Sequence, residues 1–310
     1  MTAPAAVRPV GGTGRRPARR DTDRWAGVVE GYFRVHAVVT YVFLYLPIIV
    51  VVIFAFNGTA RATTVWEGFS LRWFGVALGD EVVQDALRNS FVIALPNAIL
   101  ATTFGTMAAL GLQRVGKRLR LTFDVLTYMS VIVPEVVIAL ATLILFATSF
   151  DTMRSWFGIK LQLGVPTIIA AHVLFNVSLV LLLVRARLAG MDRTLVDASA
   201  DLFATPWRTF RQITFPQLLP AIVAGFLLTF TFSFDDFVIT TFVSGPGSST
   251  LPLFIFGQVK RVVTPETNAV ATMMLVVTLA LLILGQVVLN RQARRSGRQG
   301  GSMAEIVTEG

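Results

Sequence analysis

The chain has 310 residues, of which 54% are hydrophobic and only 15% charged, against about 25% charged in soluble globular proteins. It carries no cysteine, which excludes disulfides and thiolate metal sites, and its two histidines, His36 and His172, are too few and too far apart for a histidine metal site. The formal charge of +9 would suit a nucleic-acid binder, but the basic residues are spread between apolar runs and read as topology signals instead, so no nucleic-acid partner is expected.

The first residues, to about position 24, are rich in Pro, Gly, Ala and Arg, and the whole of 1–35 reads as a basic, largely disordered tail. Its charged region is too long, and the apolar run after it too span-like, for a cleaved signal, so an uncleaved anchor is expected. A helix needs about 20 apolar residues to cross a bilayer. The runs that meet this are His36–Asn57, Asn89–Leu112, Leu121–Phe150, Val165–Val184, Leu218–Val243 and Asn268–Leu289. Pro47, Pro96 and Pro134 fall inside spans, where neighbouring helices satisfy the freed carbonyls. Between the second and third runs, Gly111 to Arg118 nearly spells a nucleotide-binding loop. It follows a span rather than a strand, however, and Arg118 stands where a Mg2+-binding hydroxyl belongs. Residues 36–290 form one six-helix domain with a polar loop at 190–217. A tail at 291–310 follows, disordered from about Gln292. The expected class is an all-α polytopic membrane protein, with the lipid bilayer as its solvent.

Basic residues orient the spans. The N-terminal tail, the second and fourth loops and the C-terminal tail together hold 20 of the 27 Lys and Arg. Cytoplasmic segments carry that excess, so both termini and the fourth loop are expected in the cytoplasm.

The fourth loop reads LVDASADLFATPWRTFRQITFPQLLP from Leu195 to Pro220. Two short helices are expected, VDASADLF and PWRTFRQI, with Thr205 as N-cap and Pro206 in the first turn of the second. Val196, Ala200 and Phe203 fall at helical spacing and predict one apolar face, beside an acidic stripe of Asp197 and Asp201. The segment resembles the signature loop of ABC-transporter permease subunits, whose pattern is Glu-Ala-Ala, three residues, Gly, nine residues, then Ile-x-Leu-Pro. Asp197, Ala198 and Ser199 take the first places, and Ile213, Phe215 and Pro216 the last. The resemblance implies a type I importer permease fold with a cytoplasmic coupling helix that docks on an ATPase subunit through Asp197, Ala198, Ser199, Asp201, Phe203, Ala204, Pro206 and Trp207. Phe203 departs from the pattern, standing where the family has Gly. Gly tolerates a left-handed turn that Phe resists, so either Ala204-Thr205-Pro206 makes the turn or the docking is altered.

The segment from Ser233 to Gln286 narrows the resemblance. Asp235-Asp236, Ser244-Gly245-Pro246, Leu251-Pro252, Val259-Lys260, Pro265-Glu266 and Asn268-Ala269 are similar to the second permease subunit of spermidine/putrescine uptake systems. Leu46-Pro47, Phe56-Asn57 and Trp73 fit as well. The resemblance implies a non-catalytic subunit of a bacterial inner-membrane importer. Its partners would be a second permease, two ATP-binding cassette subunits that hold ATP and Mg, and an extracytoplasmic substrate-binding protein. No cofactor is expected in this chain.

Four carboxylates, Asp124, Glu135, Asp235 and Asp236, fall within the expected spans, whose cores hold no Lys or Arg. A mid-bilayer Asp costs about 2.5–3.5 kcal/mol on insertion scales, so such groups face a cavity or a partner, and unpaired acids favour a cationic cargo. Glu135, Asp235 and Asp236 are the expected pathway residues. Adjacent Asp residues point about 100° apart on a helix, so one of the pair faces elsewhere. Asp124 reads as interfacial or capping, and Asn97 and Asn176 as inter-helix hydrogen-bonding groups. The alternatives are an ion-coupled secondary transporter of an organic cation, which the absence of an internal repeat disfavours, and an ABC permease for an opine or iron.

Overall fold

The computed structural model describes residues 20–59, 65–192 and 194–308, with side chains at 29–59, 65–192 and 194–287. The chain before Arg20, most of the stretch expected to be disordered, lies outside the described residues, as does Arg193. Every regular element among the described residues is helical, and the sole β-type pairing is a bridge between Asn57 and Phe69. Among the described residues, six helices are long and apolar enough to cross a membrane.

The chain divides into two units at Val51/Val52. The first holds most of α1 (Arg20–Ala55), whose side chains from Val29 to Val50 are exposed. This helix starts well before His36, so it covers the second half of the tail expected to be largely disordered. Glu30 and Arg34 pair across one turn.

In the second unit, α2 (Arg72–Gly79) precedes α3 (Glu81–Gly111), which Asp80 caps by accepting the Val82 N–H at 2.8 Å. The single span expected at Leu121–Phe150 is two helices, α4 (Lys117–Ile132) and α5 (Glu135–Phe157). Pro134 causes the break. It cannot donate to the helical ladder and forces its predecessor extended, and Val133 accordingly has ψ 133°. Of the two, only α5 has span length and hydropathy. The near-nucleotide loop is the turn between α3 and α4.

α6 (Val165–Ala189) runs five residues beyond its expected end, and α7 (Thr194–Asp201) follows. α8 (Pro206–Thr209) passes through a π-helical turn (Phe210–Thr214) into α9 (Phe215–Phe234). The fifth expected span, Leu218–Val243, breaks after Phe234 and resumes as α10 (Val238–Val243). α11 (Leu251–Val259) and α12 (Pro265–Thr308) complete the chain. α12 carries helix through the tail expected to be disordered from Gln292, because extending a formed helix costs far less than starting one.

The core is α3 packed on α6 and α9. α3 and α6 approach closely at Gly105, where a Cβ would lie 2.6 Å from Val180 Cβ and 2.9 Å from the Val177 carbonyl oxygen. Small residues let helices approach closely in membranes, and the attraction is packing rather than water exclusion. Asn97 and Asn176 bridge this interface as expected. Asn97 donates to the Thr229 carbonyl at 3.0 Å and accepts from Asn176 at 3.2 Å.

Candidate functional site

Two places on this scaffold carry chemistry, the break between α9 and α10 and the loop from α7 to α8. At the break, helix ends leave backbone groups without intrahelical partners. Asp236 supplies them: its carboxylate accepts the Thr240 N–H at 2.8 Å, the Thr240 hydroxyl at 2.7 Å and the Ile239 N–H at 3.3 Å. His172 of α6 completes the arrangement, with Nε2 3.0 Å from Asp236 Oδ2 and Nδ1 2.7 Å from the Ser233 hydroxyl. His172 and Asp236 are both buried. The Ser-His-Asp set inverts the hydrolase arrangement, in which Ser meets Nε2 and Asp meets Nδ1. A neutral ring with its proton on Nε2 donates to Asp236 and accepts from Ser233, which satisfies every group.

Glu135, the first residue of α5, lies near this cluster from another side. Asp235 turns the other way and accepts the Thr278 hydroxyl of α12 at 3.1 Å. Adjacent acids therefore do point to different elements, and the one that faces inward is paired within its own chain. Among the described residues neither Glu135 nor Asp235 forms an ion pair.

Asp124 is different. It lies against Arg185 of α6 in a charge-assisted pair, so it does have a basic partner inside the bundle. The expectation of four unpaired acids fails here because α6 extends past Val184 and brings Arg185 onto the helix. Both side chains are about four-fifths buried, at 20% and 24% exposure. Arg185→Ala is expected to lower the stability of the folded chain in detergent by roughly 1–3 kcal/mol, between exposed and buried pairs. Asp124→Asn added to it should recover most of that loss in thermal melts. A double variant no more stable than Arg185→Ala would contradict the pairing.

The break is held in place from the same end of the bundle. Asn89 donates to the Gly247 and Ser249 carbonyls at 3.0 Å, Ser90 accepts the Leu251 N–H at 2.9 Å, and Thr167 donates to the Val243 carbonyl at 2.8 Å. Thus α10, its turn and α11 hang from the N-terminal ends of α3 and α6. The other ends of those helices carry the α7–α8 loop. His172 and Arg185 are about 20 Å apart along α6.

In that loop Asp192 starts α7 by accepting the Thr194 N–H and hydroxyl at 2.9 and 2.7 Å, which hold its carboxyl below the usual range. Thr205 caps α8 as expected, accepting the Arg208 N–H at 3.4 Å, with Pro206 following it. Ser199 is buried and clips α7 to the end of α8, its hydroxyl 2.9 Å from that of Thr209.

The left-handed residue is Phe203 itself, at φ 56°. The Ala204 N–H reaches the Ser199 carbonyl at 3.0 Å and the Phe203 N–H reaches that of Ala200 at 2.9 Å. This pair of bonds is a Schellman ending, which calls for a left-handed residue where Phe203 stands. The expected turn at Ala204-Thr205-Pro206 is therefore not what makes the corner. The ending also splits the expected apolar face. Val196 and Ala200 line a cleft of about 900 Å3 that includes Ala204, Pro206 and Trp207, while Phe203 is 96% exposed. Asp197, Ala198 and Asp201 are exposed on α7.

The chain matches the family model described as "Binding-protein-dependent transport system inner membrane component" over residues 101–298. It is 40% identical over 236 residues to the putrescine transport system permease protein PotI of Escherichia coli (strain K12), covering 76% of this chain and 82% of that one. It is 37% identical over 250 residues to the spermidine/putrescine transport system permease protein PotC of Haemophilus influenzae, covering 81% and 93%. Its fold is shared with a chain of a bacterial ABC transporter that imports the acidic polysaccharide alginate, at TM-score 0.71 and 16% identity, over 87% of this chain and 98% of that one. Six apolar helices and these relatives make it a multi-pass membrane protein, and the chain belongs to the family of binding-protein-dependent transport system inner membrane components.

Proposed function

We propose that this chain is a permease subunit of an ATP-driven importer of putrescine- or spermidine-like polyamines. The observation that carries the reading is the 40% identity to PotI across most of both chains. The geometry supports it. Glu135 and Asp235 present carboxyls at a helix break without a Lys or Arg partner among the described residues, and an opposite charge stabilises such groups when a cation passes.

The α7–α8 loop lies at the end of the bundle where Arg114, Lys117, Arg118, Arg187, Arg208 and Arg211 collect, which supports a cytoplasmic position. There it docks on an ATP-binding cassette subunit, one of two that hold ATP and Mg. A second permease and an extracytoplasmic binding protein complete the assembly. Substrate reaches the carboxylates from the side opposite the loop, and this chain performs no chemistry on it.

The test is uptake of labelled putrescine by the reconstituted complex. Glu135→Gln with Asp235→Asn is expected to reduce uptake at low substrate about tenfold or more, the loss of roughly 1.4 kcal/mol of favourable interaction, while ATPase co-purification stays unchanged. Wild-type uptake in the double variant would overturn the pathway assignment. Uptake by the lone chain under a pH gradient would overturn the ATP-driven reading.

A further inference from the structure

The ring of His172 joins three elements. Its Nδ1 lies 2.7 Å from the Ser233 hydroxyl in the last turn of α9, and its Nε2 lies 3.0 Å from Asp236 Oδ2 in the break and 3.2 Å from the Thr240 hydroxyl of α10. The ring is 1% exposed, and all three partners are buried with it. The break itself, Asp235-Asp236-Phe237, holds no proline, so the covalent chain does not dictate the angle between α9 and α10. Bonds from α6 hold it instead, the His172 ring at one end of α10 and the Thr167 hydroxyl on the Val243 carbonyl at the other. Four donors converge on Asp236, and three of them, the Ile239 N–H and the N–H and hydroxyl of Thr240, belong to α10 itself. His172 is the fourth, and the one that comes from another helix. Without it Asp236 would still cap α10, but that cap would no longer be tied to α6 at this level.

We infer that His172 is a positioning residue for transport, which acts through Asp236 to fix the direction in which Asp235 presents its carboxyl to a passing ammonium group. The inference rests on Asp235 lining the cargo pathway and adds the residue that aims it. Asp235 is exposed and accepts the Thr278 hydroxyl of α12 at 3.1 Å. A single hydroxyl bond on an exposed side chain does not by itself lock it against competing water. Asp235 closes α9 with φ −92° and ψ 0°, and successive side chains on a helix diverge by about 100°. Clamping Asp236 therefore also sets the direction of its neighbour. A functional group has to be held to within about 0.5 Å by partners whose own rotamers are locked. The His172 ring meets that condition, since Ser233 and Asp236 engage both of its nitrogens.

The experiment measures putrescine uptake at low substrate by the reconstituted complex, normalised to the folded complex recovered. His172→Leu is expected to lower uptake about three- to tenfold, no more than loss of the carboxyl it aims. The cycle with Asp235→Asn separates aiming from packing. If the ring works by aiming Asp235, the double variant takes up substrate as Asp235→Asn does, because no carboxylate is left to aim. A general loss of packing would instead multiply the two losses, and that product would overturn the inference while leaving Asp235 on the pathway. Wild-type uptake in Asp235→Asn would overturn the pathway residue and the inference with it. Two further variants separate the ring's two bonds. Gln carries a donor as many bonds from its Cβ as Nε2 is, and Asn an acceptor as many as Nδ1 is. His172→Gln should therefore keep the bond to Asp236 and most of the uptake, within about threefold of wild type, while His172→Asn should fall with His172→Leu. The reverse ranking would show that the ring acts through Ser233 rather than Asp236, and would also overturn the inference.

Discussion

Asp236→Ala is expected to be the most damaging single substitution in the bundle, costing upwards of about 3 kcal/mol as several buried donors lose their shared acceptor. The loss is large because four donors converge on one carboxylate: the Ile239 and Thr240 N–H groups, the Thr240 hydroxyl and His172 Nε2. Each buried donor left unmatched costs about 1–3 kcal/mol, and no water is at hand to replace the oxygen in an apolar bilayer core. Against a total stability of about 5–15 kcal/mol, most of the margin disappears. Asp236→Asn retains one acceptor oxygen and should fall between, losing about 1–2 kcal/mol as its amide nitrogen meets a backbone N–H. Thermal melts of the detergent-solubilised chain should therefore rank wild type, Asn and Ala in that order. An alanine variant that melts with wild type would show that the break does not depend on this carboxylate. Uptake alone does not separate this structural role from a pathway role, which is why Glu135 and Asp235 carry the transport test.

Gly245→Ala is expected to push the α10–α11 turn away from the start of α6. An added Cβ would lie 1.8 Å from the Leu163 carbonyl oxygen and 3.2 Å from the Gly164 nitrogen. Both are backbone atoms, so no side chain can rotate aside. The segments are also pinned on either side, by Thr167 on the Val243 carbonyl and by Ser248, whose hydroxyl accepts the Gly245 N–H at 2.8 Å. Overpacking of this kind typically costs about 1–3 kcal/mol, and more where backbone must shift. The variant should melt earlier and take up substrate poorly, while binding the ATP-binding subunit normally, since the α7–α8 loop sits at the opposite ends of α3 and α6. Unchanged melting would show that the two segments have room to part.

The elements that periodicity and punctuation report were legible in the sequence. Six apolar runs became six span-length helices. Thr205 and Pro206 start a helix as their chemistry dictates. What the sequence hid were the interruptions and the partners. Pro134 was visible, but hydropathy runs straight through it, so two helices read as one. The break after Phe234 has no proline at all. It rests on Asp236 drawing in backbone N–H groups, and on a histidine 64 positions away. His172 is read in the sequence only as one of two histidines too far apart to share a metal, because a lone histidine in an apolar run gives no local signal of its partner. Arg185 was assigned to a loop by a boundary set five residues early, which made Asp124 look unpaired. Phe203 broke the family pattern in type only. Its backbone keeps the left-handed shape that the pattern's glycine would adopt, and sequence reports residue type more directly than backbone shape.

From Pro206 to Phe234 the chain is helical without interruption, through α8, the π turn and α9, for 29 residues. That is a path of about 43 Å at helical rise, and it holds two places where helices bend, the π turn and Pro220 inside α9. A displacement of the Trp207 end is therefore divided between those joints before it reaches the Asp235 end.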